Sequence, residues 1–283
     1  MDSSIMWIIS TAIALFLWIF CDWKRMIKII VSLILFISVL IIASHLSERE
    51  IEVLPPDPPP ETYYYFGDIR WRVLDERDGK KLLLSEYLLD EKKAFHDGEG
   101  TSPSVTWANS TLRDWLNDEF YRRFSLAERT RIAVTRVENN DNPWFGTPGN
   151  IPTYDKIFLL SFEEILQYFG DSGQLHDRPP DDAFHREWWD REYTVRINDE
   201  YNIARNARMF DGNPYTWWLR SPGYNYGRVG RAMTVVYITR EEDEDYGTSY
   251  LSIYGTRFRG DRYNRYGDLQ LLGVRPAMWL YLE

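Results

Sequence analysis

Cysteine is almost missing from this chain: among 283 residues there is one, Cys21. A single cysteine excludes a disulfide within the chain and any metal site built from several thiolates. Histidine is also scarce, and the four histidines lie far apart in the sequence, at His45, His96, His176 and His185. A zinc site that needs several histidines is therefore not expected, and we predict no cofactor and no metal.

Positive charge is in short supply as well. The 33 lysines and arginines are outnumbered by 43 acidic residues, which gives a formal net charge of −10, and no lysine follows Lys156. A nucleic-acid partner would require a basic face to contact its phosphates, so we predict no nucleic-acid binding. The acidity by itself is consistent with a requirement for solubility.

Charged residues are missing from two runs near the N-terminus, residues 5–20 and 29–44, with Lys24, Arg25 and Lys28 between them. A membrane-spanning helix needs about 20 predominantly apolar residues and tolerates about 17. We therefore predict a transmembrane helical hairpin in residues 1–46, with spans at 5–20 and 26–46.

The basic turn of this hairpin sets the predicted topology. Because cytoplasmic loops carry an excess of lysine and arginine, the turn would face the cytoplasm and the C-terminal domain would be extracytoplasmic. The prediction is a multi-pass cell-membrane protein with two spans, which contacts the lipid bilayer through residues 5–46. A signal peptide is the alternative, but its positive charges would precede the apolar run, and here they follow it.

Proline is concentrated in one short segment after the hairpin. Residues 47–62 read SEREIEVLPPDPPPET, and such a proline run favours an extended polyproline conformation. We predict a stiff stalk at 47–62, followed by one domain at 63–283.

The beginning of this domain has the pattern of a β-hairpin. Residues 69–73 alternate apolar and polar side chains, and Asp78-Gly79 supplies a two-residue turn before Leu82 and Leu84. A helix is predicted over residues 108–124.

Capping signals mark the start of three helices. Ser110 is in position to cap the helix of residues 108–124, and Ser125 with Glu128 forms a capping box for the next. A second box, Ser161 with Glu164, begins a third helix directly after residues 155–161.

The remaining segments are predicted as strands. Residues 155–161 (DKIFLLS) have the composition of a buried strand, and short glycine-separated strands follow from Trp217 onward. Helices early and strands late predict an α+β fold.

Several separate motifs of this domain resemble a bacterial family of unknown function in the C-type-lectin-like, formylglycine-generating-enzyme-like superfamily. They occur in the family's order between residues 66 and 282: IRWRVLD, TWANSTLRDWLNDEF, ENNDNPWFGT, DKIFLLS, TWWLRSPG and GVRPAMWL. The resemblance implies a C-type-lectin-like domain with a small twisted antiparallel sheet. It also implies a ligand surface built from the stretch between the WWLRSPG and GVRPA segments.

The superfamily's known chemistries are only partly compatible with this sequence. Its oxidase activity uses a pair of cysteines with copper, and Cys21 stands alone. Typical calcium-dependent lectin sites resemble Glu-Pro-Asn or Gln-Pro-Asp with Trp-Asn-Asp, and none of these triplets occurs. Residues 241–245 (EEDED) offer oxygen ligands for calcium, or else form a solvated turn. No GxSxG, HExxH or phosphate-loop motif indicates another enzyme class, so enzymatic activity stays an open alternative.

Large side chains in the motifs themselves are assigned to the scaffold. We expect Trp217, Trp218 and Trp279 to pack under the sheet, and Arg220 and Arg275 to hold backbone or carboxylate groups by forked hydrogen bonds.

The segment at residues 245–268, DYGTSYLSIYGTRFRGDRYNRYGD, has an unusual alphabet. Tyrosine gives a large rigid contact area and arginine gives forked hydrogen bonds, as in antibody-like binding surfaces. An ordinary glycine-punctuated hairpin is the alternative, because tyrosine is also a good strand former. The predicted ligand-binding residues are Tyr224, Asn225, Tyr226, Arg228, Tyr246, Tyr250, Ser252, Tyr254, Arg257, Arg259, Asp261, Arg262, Tyr263, Asn264, Arg265 and Tyr266. Strand alternation predicts Tyr250, Ser252 and Tyr254 on one face and Leu251 and Ile253 on the other.

The genetic code adds a further observation about this segment. Codons that end in a pyrimidine never encode Lys, Glu, Gln, Met or Trp, and residues 221–232 and 245–268 contain none of these. Some relatives are variable proteins of diversity-generating retroelements, in which such codons are rewritten at adenines. The sequence predicts a membrane-anchored, outward-facing binding protein for a protein or glycan ligand at the cell surface. The alternatives are an envelope enzyme without cysteine chemistry and a membrane sensor or structural partner that acts through the hairpin.

Overall fold

The computed structural model describes residues 62–97, 104–179, 197, 199–225, 230–238, 247, 249–258 and 270–282, together with the isolated residues 11, 13 and 27. The chain divides into two compact units, Met1–Pro56 and Asp57–Glu283. The following description concerns the second unit, which contains nearly all of the described residues.

Strands dominate the described part of this unit, and the α-helices found there are short. The elements in chain order are β1 (Tyr63–Phe66), β2 (Ile69–Arg77), β3 (Lys80–Ser85), α1 (Thr111–Trp115), α2 (Leu126–Arg131), β4 (Thr135–Val137), β5 (Thr153–Asp155), α3 (Phe162–Phe169), β6 (Trp217–Pro222), β7 (Arg231–Tyr237), β8 (Ser249–Arg257) and β9 (Ala277–Tyr281). A 3₁₀ turn (Trp107–Asn109) precedes α1, and a π-helical segment (Leu116–Phe120) and a second 3₁₀ turn (Tyr121–Arg123) extend it.

The first sheet has four antiparallel strands in the order β1-β2-β3-β9. Two-residue turns join its first three strands, and both residues of each turn have positive φ: 60° and 58° at Gly67 and Asp68, and 52° and 68° at Asp78 and Gly79. Such turns match the natural twist of a hairpin and favour glycine and aspartate. The predicted hairpin around Asp78-Gly79 is confirmed.

The capping signals are also confirmed. Ser110 accepts a hydrogen bond from the backbone N–H of Arg113 at the start of α1. Complete capping boxes begin α2 at Ser125 and α3 at Ser161. These local side-chain bonds satisfy N–H groups that the first helical turn leaves without partners, which fixes where each helix begins.

The predicted strand at residues 155–161 is wrong for most of its length. β5 ends at Asp155, and beyond it only an isolated bridge joins Phe158 to Ala277. Side chains replace the missing ladder: Asn117 Nδ2 donates to the carbonyl of Ile157 at 2.8 Å, and Arg220 Nη1 donates to that of Leu159 at 2.6 Å. The segment is buried as expected, but a continuous ladder is replaced by these side-chain bonds and by isolated backbone bonds of Phe158 with Ala277 and of Leu160 with Arg220.

The second sheet has three antiparallel strands in the order β6-β7-β8, and a small pair, β4-β5, lies apart from it. Residues of both larger sheets contribute to one extended core of buried apolar side chains. This core includes the fully buried rings of Trp71, Trp107, Trp217 and Trp218. Trp279 is buried too, so the scaffold assignment of the motif tryptophans is confirmed.

The predicted fold class requires correction. We expected α+β, with a C-type-lectin-like domain behind a two-helix transmembrane hairpin. The structure instead consists mostly of β-sheets with few helices, the longest described α-helix being the eight residues of α3. Strands stand at both ends of the domain, and the long predicted helix over 108–124 is divided into 3₁₀, α and π segments. Helical segments do occur where the sequence predicts them, but they form a smaller part of the fold than expected.

The membrane prediction is overturned as well. No helix among the described residues is both long enough and apolar enough to cross a membrane. This finding contradicts the transmembrane hairpin and the two-span, multi-pass localisation with an extracytoplasmic C-terminal domain. The predicted spans themselves, 5–20 and 26–46, lie outside the described residues except for Thr11, Ile13 and Ile27, and the predicted stalk also lies outside them except for Thr62.

Candidate functional site

The two stretches with the restricted alphabet, 221–232 and 245–268, come together at the second sheet. Past the end of β6, the backbone N–H of Tyr224 donates to the carbonyl of Tyr254 in β8 at 2.8 Å. The two strands that flank β7 thus contact each other directly at this end. Residues about thirty positions apart in the sequence become neighbours through a backbone hydrogen bond.

Irregular register on both sides of β7 makes this contact possible. Trp218 and Pro222 pair with Thr234 and Ala232, so three residues of β6 lie opposite Met233 alone. In β8, Ser252 and Thr256 pair with the same two residues of β7, so three residues again face Met233. Extra residues in a strand bend it and increase its twist. Both outer strands therefore bend around Met233.

Two glycines permit the close approach of the bent strands. Gly255 has φ of +80°, and a Cβ there would lie 2.4 Å from the carbonyl oxygen of Ala232. A Cβ at Gly223 would lie 2.6 Å from the carbonyl oxygen of Tyr254. No side chain fits at either position without movement of the backbone, so glycine is needed at both.

Asn142 holds the two outer strands together from outside the sheet. Its buried side-chain Nδ2 donates to the carbonyls of Pro222 and Ile253, both at 2.9 Å. Its Oδ1 accepts from the backbone N–H groups of Trp144 and Phe145 at 2.9 and 3.1 Å. The amide thereby connects the closure of the sheet to the loop that carries Phe145.

Three rings and a guanidinium group assemble at this closure, and we call Phe145, Tyr224, Tyr254 and Arg231 the aromatic–arginine cluster. The ring centroids of Phe145 and Tyr224 are 4.5 Å apart, those of Tyr224 and Tyr254 5.2 Å, and those of Phe145 and Tyr254 5.7 Å. The guanidinium carbon of Arg231 lies 4.5 Å from the centroid of Tyr254. These separations are typical of favourable aromatic and cation–π contacts.

Arg231 is fixed in this cluster by its hydrogen bonds as well as by the ring. It is buried, and its Nη1 donates to the carbonyl of Gly255 at 3.1 Å. Its backbone N–H donates to Oδ1 of Asn225 at 2.9 Å. A second cation, the exposed Arg178, lies over the ring of Phe145 at 5.0 Å. The half-buried faces of Phe145 and Tyr224 are thus accompanied by positive charge, a combination suited to stacking and to binding acceptor oxygens.

The structure places six of the sixteen predicted ligand-binding residues. Tyr224, Asn225 and Arg257 are half-buried, whereas Tyr250, Tyr254 and Ser252 are only 5%, 8% and 3% exposed. Tyr224 and Tyr254 share the cluster, and Asn225 contacts it through Arg231. The remaining predicted residues lie outside the described part of the chain: Tyr226, Arg228, Tyr246, Arg259, Asp261, Arg262, Tyr263, Asn264, Arg265 and Tyr266.

The predicted two faces of β8 are both covered. Leu251 and Ile253 are buried like Tyr250 and Tyr254, and the hydroxyl of Ser252 accepts a hydrogen bond from the N–H of Gly255 at 3.1 Å. β8 is therefore buried over most of its described length although it is an edge strand of its sheet, and its role as a direct ligand contact stays a prediction.

Sequence reasoning missed three contributors to the cluster: Asn142, Phe145 and Arg231. Asn142 and Phe145 belong to the motif ENNDNPWFGT, which carried the family resemblance without any assigned role. Arg231 lies inside the restricted stretch 221–232 but was not singled out. A rule that groups motif residues with the restricted stretches would have found all three.

Buried charges near the sheet serve as scaffold. Arg220 donates to both carboxylate oxygens of Glu164, at 2.5 and 3.0 Å, and Arg275 Nε donates to the carbonyl of Ser85 at 3.0 Å. The forked-bond prediction for these arginines is confirmed. Burial lowers the pKa of Arg205, and the adjacent carboxylate of Asp199 opposes that effect.

Metal ligands do not gather in the described part of the chain, where no group of three or more His, Cys, Asp or Glu side chains is placed to hold an ion. The acidic run 241–245, considered above as a calcium site, lies outside that part.

Fold and site together define a mostly β protein whose C-terminal sheet closes around an aromatic–arginine cluster. The chain belongs to the family described as domain of unknown function DUF6273, whose profile matches residues 78–282. The matched region contains Asn142, Phe145 and the whole three-stranded sheet. No curated protein and no solved structure matches the chain.

Proposed function

We propose that this chain is a ligand-binding protein and that its ligand is a protein or a glycan. The contact surface is formed by the residues around the closed end of the three-stranded sheet. The observation that carries this proposal is the meeting of the two restricted stretches at the Tyr224–Tyr254 hydrogen bond. A surface assembled from both stretches concentrates tyrosine and arginine in one place, the composition that antibody-like sites use.

Because β8 is mostly buried, some of the predicted residues support this surface and others are accessible to a ligand. Tyr250, Ser252 and Tyr254 support the closure from inside. Of the six described residues predicted to bind ligand, the half-buried Tyr224, Asn225 and Arg257 are those that a ligand can reach. Tyrosine rings stack on sugar rings or peptide groups at low entropic cost, and arginine donates forked hydrogen bonds to carboxylates and carbonyls.

The proposal also includes a superfamily relationship and a mechanism of diversification. The order of the motifs supports a distant kinship with the C-type-lectin-like, formylglycine-generating-enzyme-like superfamily. The absence of Lys, Glu, Gln, Met and Trp from 221–232 and 245–268 supports diversification by a retroelement. Sequencing of the DNA around the gene tests the latter. A reverse transcriptase gene and a near-repeat of this segment are expected, and the idea fails without them.

Binding itself is tested with the full chain on arrays of glycans and of purified surface proteins. The variant Tyr224→Ala/Arg257→Ala removes two accessible side chains without emptying the core. We expect it to reduce the affinity for any ligand found by about tenfold or more, the effect of losing central tyrosine and arginine contacts. The matched control is Tyr154→Ala/Arg122→Ala, at an exposed tyrosine and an exposed arginine elsewhere in the domain. Equal binding by the two variants would contradict the proposed surface.

A further inference from the structure

A cleft beside the β1–β2 turn is a second candidate interaction site. It has a volume of about 360 Å³ and is lined by Tyr65, Asp68, Ile69, Tyr87, Asp90 and Phe210, among others. We call these six residues the acidic–aromatic cleft. Two further hollows adjoin it, one sharing Tyr65 and Asp68 and the other sharing Ile69 and Asp90. Its size is that of a small ligand pocket.

Large aromatic side chains at the cleft are left in contact with solvent. Tyr65 is 73% exposed and Phe210 is 77% exposed, although each belongs to an ordered segment of the domain. Tyr87 packs edge-on against Phe210 with a centroid distance of 5.5 Å, which supports the exposed ring in place. Exposed apolar side chains that line one concave surface are typical of interaction sites.

The charges around the cleft are unequal because two carboxylates, Asp68 and Asp90, line it together with a single cation, Arg70. Arg70 stacks on the ring of Tyr63 at 3.6 Å, and Arg123 of the adjoining hollow pairs with Glu91 at 2.6 Å. The exposed carboxylates of Asp68 and Asp90 form no ion pair with any residue that the structure describes. The cleft therefore presents two exposed carboxylates next to two exposed rings.

The turn geometry keeps one of these carboxylates at the rim. Asp68 has φ of +58° in the two-residue turn after Gly67. A Cβ at Gly67 would lie 2.3 Å from the ring of Phe124, so the turn packs tightly on that ring. The tight turn leaves the side chain of Asp68 exposed at the cleft.

We propose that the acidic–aromatic cleft binds an arginine or lysine side chain from a basic segment of a partner protein. A cation lies favourably over the face of a tyrosine or phenylalanine ring, and the carboxylates add charge-assisted hydrogen bonds. Charge complementarity selects this occupant. A second copy of the chain would bring a net charge of −10 to an acidic surface, and a nucleic acid would bring phosphates.

The test uses the full chain and a pair of peptide pools. In the first pool each octapeptide has arginine at one central position and random flanks without cysteine, arginine or lysine; in the second, neutral citrulline replaces that arginine. Biolayer interferometry with immobilised pools should show binding of the arginine pool at least about tenfold stronger than that of the citrulline pool, because the charge is the recognised feature.

The cleft is probed by exposed substitutions that the fold tolerates. Asp68→Asn/Asp90→Asn keeps a residue that accepts positive φ at position 68, and Phe210→Ala removes an exposed ring. Each variant should weaken binding of the arginine pool by roughly tenfold. The control Asp114→Asn/Glu163→Gln removes the same charge at two exposed positions elsewhere and should change binding less than about twofold.

Three results would overturn the proposal: no binding of the arginine pool, equal binding of the citrulline pool, or an equal loss in the control. Equal loss in the control would show general attraction to an acidic protein. Tyr224→Ala/Arg257→Ala, which tests the proposed ligand surface, should leave arginine-pool binding unchanged. The two surfaces are thereby judged separately.

Discussion

The two larger sheets of this domain reach their shapes in different ways. In the four-stranded sheet, the first three strands are joined by two-residue turns, and the pairing shifts at one place, between Val73 and Asp75. In the three-stranded sheet, both outer strands bend around Met233. The carbonyls that this bending displaces are bonded by Asn142, which lies 80 and 111 positions away in the sequence.

This difference separates local from distant determinants of structure. A two-residue turn is specified by the residues that form it, so the first sheet is encoded close to where it forms. The second sheet depends on its own Gly223 and Gly255 and also on two side chains from other parts of the chain, the buried amide of Asn142 and the carboxylate of Glu164. We expect it to be the more sensitive of the two to single substitutions.

The largest effect is expected at Gly255. Gly255→Ala places a Cβ against the carbonyl of Ala232 at positive φ and should lower the free energy of unfolding by about 4 kcal/mol. Gly79→Ala is the matched control in the first sheet, because φ is +68° there and no atom lies within 4 Å of the added Cβ. It should cost about 1 kcal/mol, the strain alone. Urea unfolding followed by tryptophan fluorescence measures both, and equal losses would remove the distinction between the sheets.

Asn142→Ala is expected to have the next largest effect. The buried carbonyls of Pro222 and Ile253 lose their side-chain donor, so the free energy of unfolding should fall by about 3 kcal/mol. Asn139→Ala, in the same motif, removes a bond to the carbonyl of Ile151 at an exposed position and should cost less than about 1 kcal/mol. A similar loss in both variants would show that the amide does not close the sheet.

An alkaline titration tests Tyr168, which contacts Asp75 at the register shift of the first sheet. Tyr168 donates to Asp75 Oδ2 at 3.3 Å, and burial, with Asp75 second, raises the pKa of Tyr168 from 10.0 to about 12. The unfolded chain ionises first, so the stability from this group is complete below pH 10 and is lost as the pH rises towards 12. Tyr168→Phe should abolish about 1–2 kcal/mol of this decline, a value reduced for partial exposure.

The exposed Tyr154→Phe provides the comparison for this titration and should retain the decline of the parent protein. The measurement is chemical unfolding at a series of pH values between 9 and 12. If the free energy of unfolding of Tyr168→Phe fell with pH as steeply as that of the parent protein, Tyr168 would not be the source of the decline.

The smallest effect is expected at an ion pair of the first sheet. Arg72 donates to both oxygens of Glu86, at 3.1 and 3.3 Å. Arg72→Met should cost about 1 kcal/mol, and the loss should shrink in 1 M salt because the pair is partly exposed. Arg77→Met, whose pair with Asp75 spans 3.6 Å at a mostly exposed arginine, should cost almost nothing. A loss above about 3 kcal/mol at Arg72 would place this pair among the buried ones and weaken the contrast.

The sequence predicted the parts of the fold that are locally encoded. The Asp78-Gly79 hairpin and the serine caps at Ser110, Ser125 and Ser161 follow from residues that are neighbours in the chain. The strand at 155–161 was predicted wrongly because its backbone is bonded by separate, distant groups: the side chains of Asn117 and Arg220 and the backbones of Arg220 and Ala277. The spacing of apolar residues along the sequence gives no information about such distant hydrogen bonds.

The candidate site was predicted in composition but not in geometry. Tyr224 and Tyr254 were selected from their alphabet, and they do meet. Alternation did not reveal that β8 is covered on both sides, since that depends on the bulges and on Asn142.

The backbone bond between Tyr224 and Tyr254 has a consequence for aggregation. A free sheet edge is a template onto which another chain can add a strand. At the closed end of this sheet the two edges are bonded to each other through main-chain atoms, so the seal does not depend on which side chains stand at those positions. Surface residues around it can change without uncovering an edge, provided that the two glycines and Asn142 remain.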